Sequence, residues 1–151
     1  MKRLFHYVEL PPVWLALFAG LAWLQARVLP LDVTGRVGDA IGTGLVGAGL
    51  AVSGWAALHF VLERTSLIPR ERPDKLVTTG LYRFSRNPIY LADAAILLGL
   101  ILIWDALPSL VLLPVFIKVI EWRFIRREEA LIRAHFGAAF DAYCARVRRW
   151  L

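Results

Sequence analysis

Thr78-Thr79-Gly80-Leu81-Tyr82-Arg83-Phe84-Ser85-Arg86-Asn87-Pro88-Ile89-Tyr90-Leu91-Ala92-Asp93 is the stretch where a polar, basic loop turns into an apolar helix. Asn87 has the chemistry of an N-cap, because its side-chain oxygen can accept from a free backbone N–H one turn ahead. Pro88 suits the first helical position, where no N–H is needed and its fixed φ already matches the helix. A helix start carries partial positive charge and several open donors. With Arg83 and Arg86 beside it, the junction can receive an anionic group of a ligand. If the apolar run after it enters a bilayer, that group sits at headgroup depth.

Outward from this junction the composition is that of a membrane protein. Apolar residues make up 58% of the 151 and charged residues 20%, against roughly 45–50% and about 25% in ordinary soluble domains. The charges are also segregated, which leaves long uncharged stretches. Spans of apolar residues are read at 13–29, 40–62, 88–104 and 107–122. The expected fold is a single all-α integral membrane domain over 1–151, with four transmembrane helices and a C-terminal cytoplasmic or interfacial helical segment. A signal peptide is the rival reading of the first run, but Trp23, Leu24 and Gln25 stand where small residues would mark cleavage. In the second run Gly44-Ala48 and Gly47-Ala51 have the small-residue spacing that lets helices approach in lipid. His59 and Glu63 lie one turn apart at its end, suited to an interfacial hydrogen bond or, less simply, to a ligand.

The net charge of +6 is carried at the ends of apolar segments, as anionic headgroups favour and nucleic acid does not. Lys and Arg gather in residues 1–10, in the loop 63–87 and in the tail, which the positive-inside rule makes cytoplasmic, both termini included. Membrane lipids are therefore partners and nucleic acid is not. The single Cys144 excludes an internal disulfide, and the three His residues lack metal-ligand spacing.

Because 105–108 allows only a tight turn, the third and fourth spans form a hairpin. Its cytoplasmic end brings Asn87, Tyr90 and Asp93 near the helix that emerges from the fourth span. On that helix Glu121, Glu128 and His135 recur every seven residues and are expected to share a face. The sum is a cup of carboxylates, amide, phenol and arginines. It suits a zwitterion, with arginine and helix dipole for a carboxylate and glutamate for an ammonium. Gly137 is placed to cap the emerging helix. Beyond it a short helix is read over 138–150; Phe136, Phe140, Tyr143 and Val147 at helical spacing make a stripe for the membrane interface, with Arg146, Arg148 and Arg149 beside it.

Each residue also has a plain structural reading. Tyr90 can be an interfacial aromatic, Asn87-Pro88 a cap, and Glu128 and Glu129 a solvated face paired with Arg126, Arg127 or Arg133. Asp93 is harder to place, since a carboxylate inside a span costs several kcal/mol unless paired; an arginine on a neighbouring helix is its simplest partner.

Taken together, these residues resemble a known set. Gly80-Leu-Tyr82-Arg-Phe-Ser-Arg86-Asn87-Pro88-Ile-Tyr90 is similar to the G-x-Y-x-x-x-R-[HN]-P-x-Y signature of the membrane isoprenylcysteine carboxyl methyltransferases and the related phospholipid methyltransferases. Glu128-Glu129-Ala-Leu131, followed by His135-Phe136-Gly137, Tyr143 and Arg146-Val147, resembles the C-terminal block of that superfamily. The likeness covers about the last half of the chain, 78–151. It implies S-adenosylmethionine as cofactor, with Tyr82, Arg86, Asn87, Pro88, Tyr90, Glu128, Glu129 and His135 around it. A lipid-like or small amphipathic acceptor enters from the bilayer, and Arg146 orients it. Asn87 stands where eukaryotic carboxyl methyltransferases carry His, as in bacterial members, so the expected location is a bacterial inner membrane. The extra spans of larger relatives are absent.

The implied reaction is in-line methyl transfer to an oxygen, nitrogen or sulfur nucleophile, driven by alignment in a dry pocket. For an amine acceptor a base is needed, and Glu129 is the first choice. Two other classes stay open: a non-catalytic four-span scaffold or lipid-binding protein, and a membrane reductase that shares this half but uses NADPH.

Overall fold

The computed structural model describes residues 10–62 and 76–151, and among these every regular element is helical. Helix α1 is Pro11–Val28 and α2 is Gly35–Leu62. A 3-10 turn, Gly80–Arg83, leads to α3, Pro88–Ile103. A second 3-10 turn, Leu107–Val111, opens α4, Leu112–Ile120, which passes through a π-helical segment, Glu121–Ile125, into α5, Arg126–Phe136. Helix α6, Ala138–Arg146, follows Gly137, whose φ of 50° ends α5 as the sequence predicts. The basic residues Arg64, Arg70, Arg72 and Lys75, the start of the chain, and Glu63, read from sequence as one turn from His59, lie outside the described residues.

Among the described residues one helical stretch, Gly35–His59, is long and apolar enough to cross a membrane, and Pro88–Ile103 is apolar but shorter. Large apolar side chains nevertheless face outward on several elements: Leu17, Leu21 and Leu24 on α1, Val37, Ile41, Leu50 and Leu58 on α2, Val111 and Val115 before and within α4. A surface of that kind is unfavourable in water and ordinary against lipid.

Helix α3 is the hub, packed on α2 along one side and on α1 and α4 along the other. Tyr90, Ala94, Leu97 and Ile101 recur at helical spacing and enter the main core with Phe18, Ala22, Phe116, Ile120, Phe124 and Ile125. The other side of α3 meets α2 at backbone distance. A Cβ added to Gly42 would stand 2.5 Å from the Gly99 carbonyl oxygen, and one added to Gly99 would stand 2.6 Å from that of Gly42. Gly49 is similarly close to Ala92. Gly44 and Gly47, read from sequence as the packing glycines, have nothing within 4 Å of such a Cβ. The contact follows the seven-residue line Gly42–Gly49, which turns a different face of α2 toward α3.

At the end of the hairpin away from the site, Asp105 takes a left-handed φ of 49°. Its carboxylate accepts from the Val33 and Thr34 amides and the Thr34 hydroxyl. These bonds, the Val33 amide foremost, hold its carboxyl below the usual range. The turn thus supplies acceptors and negative charge to the start of α2, where free donors need them.

Candidate active site

The junction at Asn87 folds differently from a simple cap. Asn87 makes no side-chain bond to the first turn of α3. Its Nδ2 instead donates to the Arg149 carbonyl at 3.0 Å, and its own amide donates to Ser85 Oγ at 3.1 Å. Ser85, 2% exposed, also donates to the Arg149 carbonyl. The Arg86 amide donates to the Arg148 carbonyl at 3.0 Å. The chain after α6 is therefore an extended strap laid along residues 85–87. That is why the last helix stops at Arg146 and does not run on to residue 150.

The strap delivers Arg149 to the carboxylates. Its Nε and Nη2 bond to the two oxygens of Glu129 at 3.1 and 2.7 Å, and Nη1 reaches Glu121 at 2.8 Å. Arg86 Nη2 adds a contact to Glu129 at 3.1 Å, while Arg126 and Lys118 attend Glu121. Both carboxylates are 8% exposed, so pairing of this quality is what makes their burial tolerable. The Glu129 hydrogen bonds, more than any other cause, raise the already high pKa of Arg149.

Sequence spacing paired Glu121 with Glu128, but the structure aligns Glu121 with Glu129. The π-helical turn is the reason: Arg126 N–H bonds to the Glu121 carbonyl, five residues back. One residue is absorbed there, so a shared face recurs after eight positions where an unbroken α-helix would give seven. Glu128 is thereby turned toward α3, where its Oε1 accepts the Tyr90 hydroxyl at 2.7 Å. Burial raises the Glu128 carboxyl above its ordinary range, and the neighbouring Glu129 adds to this. His135, the third member of the expected face, is exposed and stands edge-on to Phe136.

The stripe after Gly137 is also relocated. Phe140, Tyr143 and Val147 form a small core of their own with Leu76, Ile132 and Phe136, and do not face a bilayer. Tyr143 donates to the Tyr82 carbonyl at 2.6 Å, clamping the 3-10 turn, and burial lifts its pKa to about 12. Arg146 is exposed, with Nε on the Ala142 carbonyl. Among the described residues, no bond joins Arg146 or His135 to the carboxylates. Asp93 is 8% exposed, and no cationic partner stands beside it among the described residues.

Two features of the site stay open. Among the described residues Arg86 Nε is buried without a hydrogen-bond partner, and Glu128, unlike Glu129, meets no guanidinium. A family model described as phospholipid methyltransferase matches residues 38–139. The chain belongs to the phospholipid methyltransferase family. No curated protein and no solved structure matches it significantly.

The phospholipid methyltransferase match runs from α2 to the first turn of α6, so it contains Tyr82, Arg86, Asn87, Pro88, Tyr90, Glu128 and Glu129. Membership implies a membrane-associated methyltransferase. Arg146 and Arg149 lie beyond the matched segment. Of the residues that build the site, Ser85 and Arg149 were not legible from motif spacing. The available signal was Trp150, a large aromatic beyond the last helix, which packs on the main core and so carries the strap inward. No three His, Cys, Asp or Glu side chains among the described residues stand close enough to share a metal ion.

Proposed function

We propose that this protein is an S-adenosylmethionine-dependent methyltransferase of four membrane spans, with both termini cytoplasmic and a lipid-like or amphipathic acceptor. The observation that carries the reading is the pair of open valences in an otherwise paired site. Among the described residues Arg86 Nε is a buried donor without an acceptor, and Glu128 is a carboxylate held by one phenol. Together they ask for a ligand with an anionic and a cationic group, as the amino-acid end of S-adenosylmethionine has. The residues present therefore fit the cofactor. When bound, it supplies an electrophilic methyl group on a sulfonium.

The chain's own residues do the rest. Arg86 and the start of α3, which Asn87 leaves uncapped by its side chain, bind the carboxylate. Glu128 binds the ammonium, and Tyr82, Pro88 and Tyr90 form the wall on the α3 side. Glu129 is saturated by Arg86 and Arg149 and is a scaffold in this account. If the acceptor is an amine, Glu128 is the better proton acceptor, because burial raises its carboxyl. Arg146 is exposed on α6, where its guanidinium is available to the anionic end of an acceptor.

The test is transfer itself. Protein in vesicles of mixed membrane lipids is given S-adenosylmethionine labelled in its methyl group. Label is expected in the solvent-extractable fraction, and less of it with Glu128→Ala. Consumption of the donor without label in any lipid would overturn the assignment of a lipid-like acceptor.

A further inference from the structure

We propose that Arg149 is a positioning residue of the methyl-transfer site, and that the strap carrying it is a working part of that site. The proposal rests on the methyltransferase reading above. It concerns a residue outside the segment matched by the family model, on a tail whose sequence alone suggests lipid anchorage.

Arg149 acts through both its ends. Its guanidinium makes three bonds of 3.1 Å or less, two to Glu129 and one to Glu121. Its carbonyl receives Asn87 Nδ2 and Ser85 Oγ. One residue thus ties together the loop before α3, the π-helical turn and α5, the three segments that hold the open groups Arg86 Nε and Glu128. Arg148 lends only its backbone, through the Arg86 amide, and its side chain is exposed.

The consequence of losing the guanidinium is electrostatic and local. Glu121 and Glu129 are both buried. Without Arg149, Glu121 keeps Arg126 and Lys118 and Glu129 keeps Arg86, but the two carboxylates lose the cation they share and repel each other in a poorly solvated place. One of them then takes up a proton or turns away. Arg86 is held from two sides, by Glu129 and by the Arg148 carbonyl. When Glu129 turns, the direction of its unpartnered Nε turns with it. A lysine at 149 restores the charge without the fork that spans three oxygens.

The experiment uses the full chain in detergent micelles and two readouts. Calorimetric titration with S-adenosylhomocysteine reads the ligand site. Carbon-13 NMR of labelled glutamate carboxyls reads the carboxylates with no ligand present. Arg149→Gln is expected to weaken S-adenosylhomocysteine at least tenfold and to move a buried glutamate titration to higher pH. Arg149→Lys should recover part of the affinity, and Arg148→Gln should stay within twofold of the parent. The double change Arg149→Gln with Glu121→Gln should recover affinity, because the repulsion has been removed. A merely structural Arg149 would give no such recovery. Affinity within twofold of the parent in Arg149→Gln, or unmoved glutamate titrations, would overturn the proposal. Failure of the parent to bind S-adenosylhomocysteine would overturn the methyltransferase reading instead, and the carboxyl titrations would still decide what Arg149 does to Glu121 and Glu129.

Discussion

Glu128 is half-buried, with the Tyr90 hydroxyl on one oxygen and, among the described residues, no guanidinium of the kind that holds Glu129. Its carboxyl is raised by burial, so its contribution to stability is present below the unfolded pKa and is lost as pH rises through the folded one. Glu128→Gln should therefore raise the melting temperature of the ligand-free protein at neutral pH and leave it nearly unchanged in acid. The same change should weaken S-adenosylhomocysteine by about 1–3 kcal/mol, the usual loss when a charged partner is removed. A variant less stable than the parent at neutral pH would contradict this. The Asn87 side-chain amide holds the strap through the Arg149 carbonyl. Asn87→Leu should free the strap and speed tryptic cleavage at Arg148 and Arg149; unchanged cleavage would mean that the strap docks without it. The residue types of the site were legible in the sequence: arginine, amide, phenol and paired glutamates. Which glutamate meets which cation was not, because that depends on a π-helical turn with no marker in residues 121–125.

At the scale of elements, the sequence disclosed where helices begin and end wherever a single residue decides it. Pro11 and Pro88 stand at helix starts, and Gly137 ends α5 with a positive φ. It did not disclose which of many glycines pack, because α2 carries small residues on more than one face and only a partner helix selects among them. The structure selects Gly42, Gly49 and Gly99. Gly99→Ala puts a methyl 2.6 Å from the Gly42 carbonyl oxygen, and neither backbone can yield without parting α2 from α3. It should destabilise by about 1–3 kcal/mol, as overpacking does. Gly44→Ala meets nothing within 4 Å and should be neutral, or stabilising by about 0.5–1 kcal/mol through helix propensity. Thermal denaturation of both in one detergent compares them directly. Equal effects would mean that the two helices do not touch as described. The stripe Phe140, Tyr143 and Val147 gives the same lesson: its helical spacing was legible, but the surface it meets is Leu76 and Ile132, which no periodicity reveals.

Over the whole molecule, an apolar exterior and a polar, charge-paired end put the site at one pole of the helical framework, where the proposed water-borne cofactor and bilayer-borne acceptor would meet. The proposed orientation puts that pole in the cytoplasm. Single cysteines replacing the exposed residues Asp32 and Arg127, in a Cys144→Ser background, should report it. The first should react with an impermeant maleimide on intact cells and the second only after permeabilisation; the reverse pattern would invert the topology, and equal labelling of both would remove the four-span arrangement. Independently of topology, the proposed function requires that the Arg86 donor and the Glu128 carboxylate form one site for S-adenosylmethionine. Its most direct test is calorimetric titration of the purified parent with S-adenosylhomocysteine, with NADPH titrated in parallel. Saturable one-site binding of S-adenosylhomocysteine is expected, at least about tenfold weaker in Glu128→Ala, which corresponds to about 1.4 kcal/mol, with no binding of NADPH. Binding of NADPH in its place, or of neither, would contradict it.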